Sequence, residues 1–322
     1  MSTLYLLKPE LKVCKDGGRF IVEEKGLKVQ EIPMNELESV IVYKAQLTTQ
    51  VMEALLELGA NVIYIDKFGK VRGVLGKNDI SAHRLLQQID KFYQNDQKVS
   101  LSRYCVEQKI GKQIEILKKY NKKKSDYELA KIIKQLERYQ ESLLNCVAVE
   151  QIRGIEGIAT KDYFSAFEFL VNSKEWLWQG RNRRPPKDPI NAMLSLGYTM
   201  LEKEIRIGLL VAKLDCRFGF FHSNNGRKDS LVFDMMDLFR QDIIDRMVIT
   251  FINKKMFTQD DFHYFDNACF FTESGRKKFF LRYEEFMVVK KDREISKREK
   301  IIQAIKDFAK DIMKKQENDL GA

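Results

Sequence analysis

One of only three histidines in the chain, His222, sits in FGFFHSNNGRKDSLVFDMMDLFR, the stretch 218–240, with Asp234 and Asp237 shortly after it. If SLVFDMMDLFR is a helix capped by Ser230 or Asp229, then Val232, Met235, Met236, Phe239 and Ile243 form its apolar stripe. Asp234 and Asp237, at i and i+3, then project from neighbouring points on one face. A carboxylate beside core residues needs a counter-charge, and two together repel. Arg240 or a divalent metal could supply that charge; the alternative leaves both aspartates facing solvent with Arg240 or Gln241 as a partner. A ring nitrogen with carboxylate oxygens suits Mg²⁺ or Mn²⁺ better than a thiolate-rich structural site.

A second acid lies upstream, where Glu156 stands between Gly154 and Gly157 in AVEQIRGIEGIATKDYFSAF. Each glycine inside a helix costs about 1 kcal/mol relative to alanine, so something must offset it. Close helix packing is one reading. The other is bare backbone that lets a bulky ligand, such as a phosphodiester, approach Glu156. Tyr163, seven residues on, falls on nearly the same helical face and could touch that ligand. Between these segments, GRNRRPPKDPINAMLSLGYTMLEKE crowds Arg181, Arg183, Arg184 and Lys187 into one loop, where guanidinium forks suit phosphate oxygens. Asp188 as N-cap and Pro189 at the first position start the next helix, and Asn191 caps or orients there.

These residues need a scaffold, and 322 residues with 44% hydrophobic content are enough for one large or two ordinary domains. Lys and Arg total 56 against 46 Asp and Glu, a net +10, which favours polyanionic partners and also serves solubility. The five cysteines, Cys14, Cys105, Cys146, Cys216 and Cys269, form no CxxC pair, so neither a zinc–thiolate site nor a disulfide framework is expected. That usage fits a reducing cytoplasm. No signal peptide or membrane span is expected, because runs such as IGLLVA are cut short by charges.

Short strands separated by turns fill the first eighty or so positions: TLYLL, RFIVEE, LKVQEIP, LESVIVY, ANVIYID and KVRGVL. TTQVMEALLELGA interrupts them as a helix with Thr48 or Thr49 as N-cap and Gly59 as stop. From SAHRLLQQIDKF onward the pattern turns to long amphipathic helices. The fold class expected is therefore α+β, with a β-rich domain over 1–78 and a larger helical domain over 82–322. The basic run Lys118 to Asp126 reads as a solvated turn between helices, with nucleic-acid contact as the alternative. Ile301, Ile305, Phe308 and Ile312 mark a last amphipathic helix, either docked on the body or a mobile basic arm.

Taken together, RGIEGIATKDYF, RNRRPPKDPINAMLSLGYTML, HSNNGRKDSLVFDMMDLFR, TESGRKKFFLRYEE and the opening LYLLKPELKV resemble the CRISPR-associated spacer-acquisition integrase, the first-numbered protein of the Cas set. The resemblance implies that Glu156, His222 and Asp237 bind a divalent cation, Mg²⁺ or Mn²⁺, and carry the catalysis, with Asp234 in the same site. It implies a metal-dependent DNA endonuclease and strand transferase, in which a 3′-hydroxyl of a short prespacer DNA attacks a phosphodiester of the CRISPR repeat. Arg181, Arg183, Arg184, Lys187, Arg227, Lys228 and Arg240 are the expected contacts to double-stranded or branched DNA. A homodimer joined through the β domains and a small ferredoxin-like companion Cas protein are the implied partners. Leu238 and Gln241 stand where many relatives carry prolines, which puts the local helix path, rather than a ligand, in question. A catalytically silent DNA-binding scaffold, and a transposon integrase or branched-DNA nuclease, are the alternatives.

Overall fold

Alternation of apolar and polar residues in the N-terminal region produces two four-stranded sheets. The computed structural model describes residues 2–66, 71–76, 80–171, 175–222, 229–289 and 295–313. Its strands there are β1 (Ser2–Leu6), β2 (Leu11–Asp16), β3 (Arg19–Glu24), β4 (Leu27–Pro33), β5 (Leu37–Val42), β6 (Gln46–Leu47), β7 (Asn61–Ile65) and β8 (Val71–Leu75). One sheet has the order β1-β5-β7-β8, parallel except for β8, and the other β4-β3-β2-β6, antiparallel except for the β2–β6 pair. Parallel neighbours require a crossover. Helix α1 (Thr49–Glu57) supplies the one between β5 and β7. It starts where the Thr48 hydroxyl accepts a 3.4 Å bond from Val51 N, and Gly59 at φ +69° turns the chain out of it. Val13, Phe20 and Val22 of one sheet, Val40, Val42 and Val62 of the other, and Val51 and Leu55 of α1 form one core. The short β6 and the charged β2, LKVCKD, are the strands that the sequence pattern did not single out.

The rest of the chain is mostly helical: α2 (Ala82–Tyr93), α3 (Asn95–Lys124), α4 (Tyr127–Ser142), α5 (Val149–Ser165), α6 (Phe167–Leu170), α7 (Pro189–Val211), α8 (Ser230–Asp237), α9 (Arg246–Asn253), α10 (Glu273–Val288) and α11 (Lys297–Met313). A hairpin of β9 (Phe262–Phe265) and β10 (Ala268–Phe271) interrupts them, and a π-helical turn, Gln241–Asp245, leads into α9. The fold class is α+β, as expected. The chain divides into two compact units, Met1–Leu86 with Lys203–Asp215 and Ala304–Ala322, and Gln87–Glu202 with Cys216–Gln303. In the first, Arg84 donates to the carbonyls of Ala212 and Lys213 at 2.8 and 3.0 Å, satisfying the C-terminal end of α7.

In the second unit α3 is the central element, burying Cys105, Val106, Ile110, Ile114 and Leu117 and packing against α4, α5 and α8. The basic run expected as a turn instead extends α3 to Lys124; the reversal is confined to Ser125 at φ +49°. Asp126 then caps α4, accepting a 3.0 Å bond from Leu129 N. Ile301, Ile305 and Ile312 of α11 are buried, so that helix is docked and not a free arm.

A buried acid ties three of these elements together. Asp245, at the end of the π-helical turn and fully buried, accepts from the hydroxyl of Tyr163 on α5 at 3.0 Å and from that of Tyr198 on α7. Tyr163 is thus a core residue, not the ligand contact its spacing from Glu156 suggested. Burial pushes the Asp245 carboxyl up to about 6, against the opposing pull of the two hydroxyls and of Arg240 and Arg181. The native state therefore keeps this proton between pH 4 and 6, where the unfolded chain has released it, and the stability it contributes falls as pH rises through that window. From the ordinary value of 3.8, the change is on the order of 3 kcal/mol. Urea unfolding at a series of pH values should show the wild-type minus Asp245→Asn stability difference declining by about that amount; a flat difference would mean that Asp245 is ionised throughout.

Candidate active site

The candidate site is assembled from α3, α5 and α8 around one lysine. The Lys109 ammonium on α3 bonds Glu156 Oε1 on α5 and, at 3.3 Å, Asp237 Oδ2 on α8. The Lys109 and Asp237 side chains are each 2% exposed and Glu156 is 23% exposed, so of these three groups the glutamate is the one that solvent reaches. Thr160, one turn along α5, donates to Glu156 Oε1 at 3.0 Å. Of the two readings for the glycines beside Glu156, close packing does not hold, because a Cβ on Gly154 or Gly157 would meet no atom within 4 Å. Bare, open backbone flanks the acid instead.

Asp234 is fully occupied by local hydrogen bonds. Its Oδ2 accepts from Phe220 N at 2.7 Å and Phe221 N at 3.1 Å, and its Oδ1 from His222 N at 2.8 Å. Its Oδ1 also lies 2.7 Å from His222 Nδ1. A carboxylate can only accept, so Nδ1 carries the proton and Nε2 is the nitrogen with a lone pair to offer. The segment before the histidine wraps closely around this acid. A Cβ on Gly219 would strike Asp234 Oδ2 and come within 2.8 Å of Leu231 N. Asp229, the residue before α8, makes no side-chain cap bond to it; Ser230 Oγ accepts from Gly219 N and donates to Arg217 O, both at 2.9 Å, steadying the same segment.

The electrostatics follow from burial opposed by cations. Burial alone would push the Asp237 carboxyl up, but Arg240 and Lys109, with His222 behind them, hold it below the usual aspartate range. Glu156 likewise lies below its usual range, burial being overcome by the Lys109 ammonium. Arg240 is not a surface arginine: its side chain is 12% exposed, with Nη2 2.9 Å from Asp237 Oδ1 and the guanidinium 5.3 Å from the Tyr198 ring centre. That 2.9 Å approach is an ion pair without hydrogen-bond alignment, and Asp237 Oδ1 is a buried oxygen that accepts no hydrogen bond from the described residues. Two carboxylates drawn to one cation, an orphaned carboxylate oxygen and an imidazole with Nε2 available make a donor set whose chemistry fits a hard divalent cation. Among the described residues no three His, Cys, Asp or Glu groups form a ready-made cage, and the lysine holds the place between the two acids.

The arginine loop divides into an anchored part and a presented part. Arg181 is turned inward, donating to Asn191 Oδ1 at 2.7 Å and Ser195 Oγ at 3.2 Å, so it ties the loop to α7. Asn191 in turn accepts from Asn182 N at 3.1 Å and donates to Gly180 O at 2.9 Å, while Asp188 caps α7 through a 2.8 Å bond from Asn191 N. Pro186 O accepts from Cys269 N of β10 at 2.7 Å. Arg183, Arg184 and Lys187 are exposed on this fixed loop. Arg227 and Lys228 lie outside the described residues. Lys109 is the site residue that sequence reasoning missed; its available signal was a lysine set in the apolar stripe of α3, beside Cys105, Val106 and Ile110.

Comparison with known proteins identifies the family. The chain is 29% identical over 293 residues to a "CRISPR-associated exonuclease Cas4/endonuclease Cas1 fusion" of Leptospira interrogans, aligning over 88% of this chain and 54% of that protein. It thus spans about half the length of that relative. Among solved structures, a chain of a partial Cas6-RT-Cas1–Cas2 complex superposes with a TM-score of 0.83 at 22% identity, covering 97% of this chain and 95% of that one. A casposase bound to integration product superposes with a TM-score of 0.76 at 21% identity, covering 97% and 95%. The model of the family described as "CRISPR associated protein Cas1" matches residues 4–285, nearly the whole chain, and the protein therefore belongs to that family.

Proposed function

We propose that this protein is a metal-dependent DNA strand transferase and endonuclease of CRISPR adaptation, inserting short prespacer DNA into a CRISPR array. The observation that carries this reading is the convergence of Glu156 and Asp237 on a single cation, with Asp234 holding the nearby His222 so that Nε2 can ligate. Glu156, Asp237 and His222 would hold the ion, with Asp234 positioning the imidazole. A bound Mg²⁺ or Mn²⁺ supplies Lewis-acid stabilisation of the charge that develops on the scissile phosphate and favours the attacking 3′-hydroxyl as a nucleophile. Arg240 offsets the charge of Asp237 and keeps it ionised despite its burial. The open backbone at Gly154 and Gly157 leaves room for the sugar–phosphate chain beside Glu156.

Arg183, Arg184 and Lys187 hold the DNA backbone by charge, which carries no base sequence and weakens steeply with salt. The names of the superposed structures, a Cas1–Cas2 complex and a casposase with integration product, support DNA and a small companion Cas protein as partners. A homodimer formed through the β-rich domain completes the assembly proposed.

Strand transfer of a short duplex with free 3′-hydroxyls into a supercoiled plasmid bearing a repeat tests the site. Glu156→Gln, His222→Ala and Asp237→Asn should each lower the rate by about a hundredfold or more, with the circular dichroism spectrum unchanged. Chelation should abolish transfer, and added Mg²⁺ or Mn²⁺ restore it. Activity that survives all three substitutions in folded protein would refute the assignment.

The exposed basic loop gives a separate expectation, read by fluorescence anisotropy on unrelated duplexes. Alanine at Arg183, Arg184 or Lys187 should weaken binding equally on every sequence and reduce the slope of log K against log salt by about one for each phosphate no longer neutralised. Arg181→Ala should act differently, lowering stability through the unpinned loop. A sequence-dependent loss at Arg183 or Arg184 would contradict contact with the backbone alone.

A further inference from the structure

A lysine side chain that is 2% exposed has little to gain from its position unless its charge is used. Lys109 bonds an oxygen of Glu156 and an oxygen of Asp237, and these are the two acids that the reading above assigns to the divalent ion. With Arg240 beside Asp237, two carboxylates already face two cations and the local charge is balanced. Adding a divalent ion without moving the lysine would gather three cations around two acids in a poorly solvated space, which is strongly unfavourable.

We propose that Lys109 is a resident cation of the site, whose ammonium competes with the divalent ion for Glu156 and Asp237 and yields its place when the ion binds. Lys109 is on this account a positioning residue: it keeps two repelling acids on one point in advance of the ion and sets how tightly the ion is held. The inference rests on the metal-dependent reading of the site. What it adds comes from the contacts and burial of Lys109 itself. The same geometry gives two effects of opposite sign. Removing the ammonium leaves Glu156 without its cation and Asp237 with Arg240 alone, which destabilises the ion-free fold, and it also removes the competitor and tightens ion binding.

Titration calorimetry of the full chain with Mn²⁺ alone, without DNA, reads the competition directly, and thermal melting with and without Mn²⁺ reads the fold. Lys109→Met should melt lower than wild type in the absence of Mn²⁺, recover more on adding it, and bind Mn²⁺ roughly tenfold or more tighter. Lys109→Gln, closer to lysine in polarity, should show the same tightening and serves if the methionine variant does not fold. Lys109→Arg, which keeps the charge, should stay near wild-type affinity; a merely structural lysine would give no such split between charged and neutral replacements. Neutral variants that bind Mn²⁺ no tighter than wild type, while Glu156→Gln still abolishes binding, would overturn the role of Lys109 and leave the metal site standing. Wild-type protein that binds no Mn²⁺, or binds it equally well after Glu156→Gln and Asp237→Asn, would overturn the metal reading and this inference with it.

Discussion

Two carboxylates cannot be held together in a poorly solvated interior unless something positive sits between them. The helical unit is arranged around that constraint. Lys109 reaches from the middle of α3 to Glu156 on α5 and Asp237 on α8, so one ammonium joins the three helices that define the site. Arg240 approaches Asp237 from the other side and is itself supported by the Tyr198 ring. Each acid is kept ionised by a neighbour from another part of the fold, and none of these side chains could be buried alone without a penalty of several kcal/mol.

Two further acids show the same logic used for shape. Asp234 gathers three successive backbone N–H groups and a histidine ring, and so turns the segment 220–222 into a rigid mount. Asp245 gathers two tyrosine hydroxyls and binds α5 and α7 to the turn between α8 and α9. The aspartates of this short region have different tasks because their surroundings differ. Asp237 meets cations and stays below its usual range, whereas burial pushes Asp245 up despite the two hydroxyls that donate to it.

Much of this was legible in the sequence because local rules dominate where elements start and stop. Thr48 before α1, Gly59 after it and Asp188 with Pro189 at the head of α7 are signals that a single sequence carries in full. The apolar stripe of α8 and the spacing of Asp234 and Asp237 were equally visible. What each aspartate does was not, since i and i+3 fixes a shared face and says nothing of which oxygens are already taken. The distinction between Arg181, turned inward, and Arg183 and Arg184, facing out, depends on Asn191 and Ser195 across the loop and leaves no local mark. Lys109 left only a faint mark, its place in the apolar stripe of α3; that it meets Glu156 and Asp237 depends on α5 and α8, far along the chain.

The pinned loop before α7 has a consequence of its own. Its hydrogen bonds through Asn182, Asn191 and Pro186 fix the backbone on both sides of Arg183 and Arg184. A flexible basic segment loses conformational freedom each time it meets a polyanion, and that loss is subtracted from its affinity. Here the ordering has been done at folding, so only the side chains remain to settle, and the loop can release a ligand and take another without refolding between encounters.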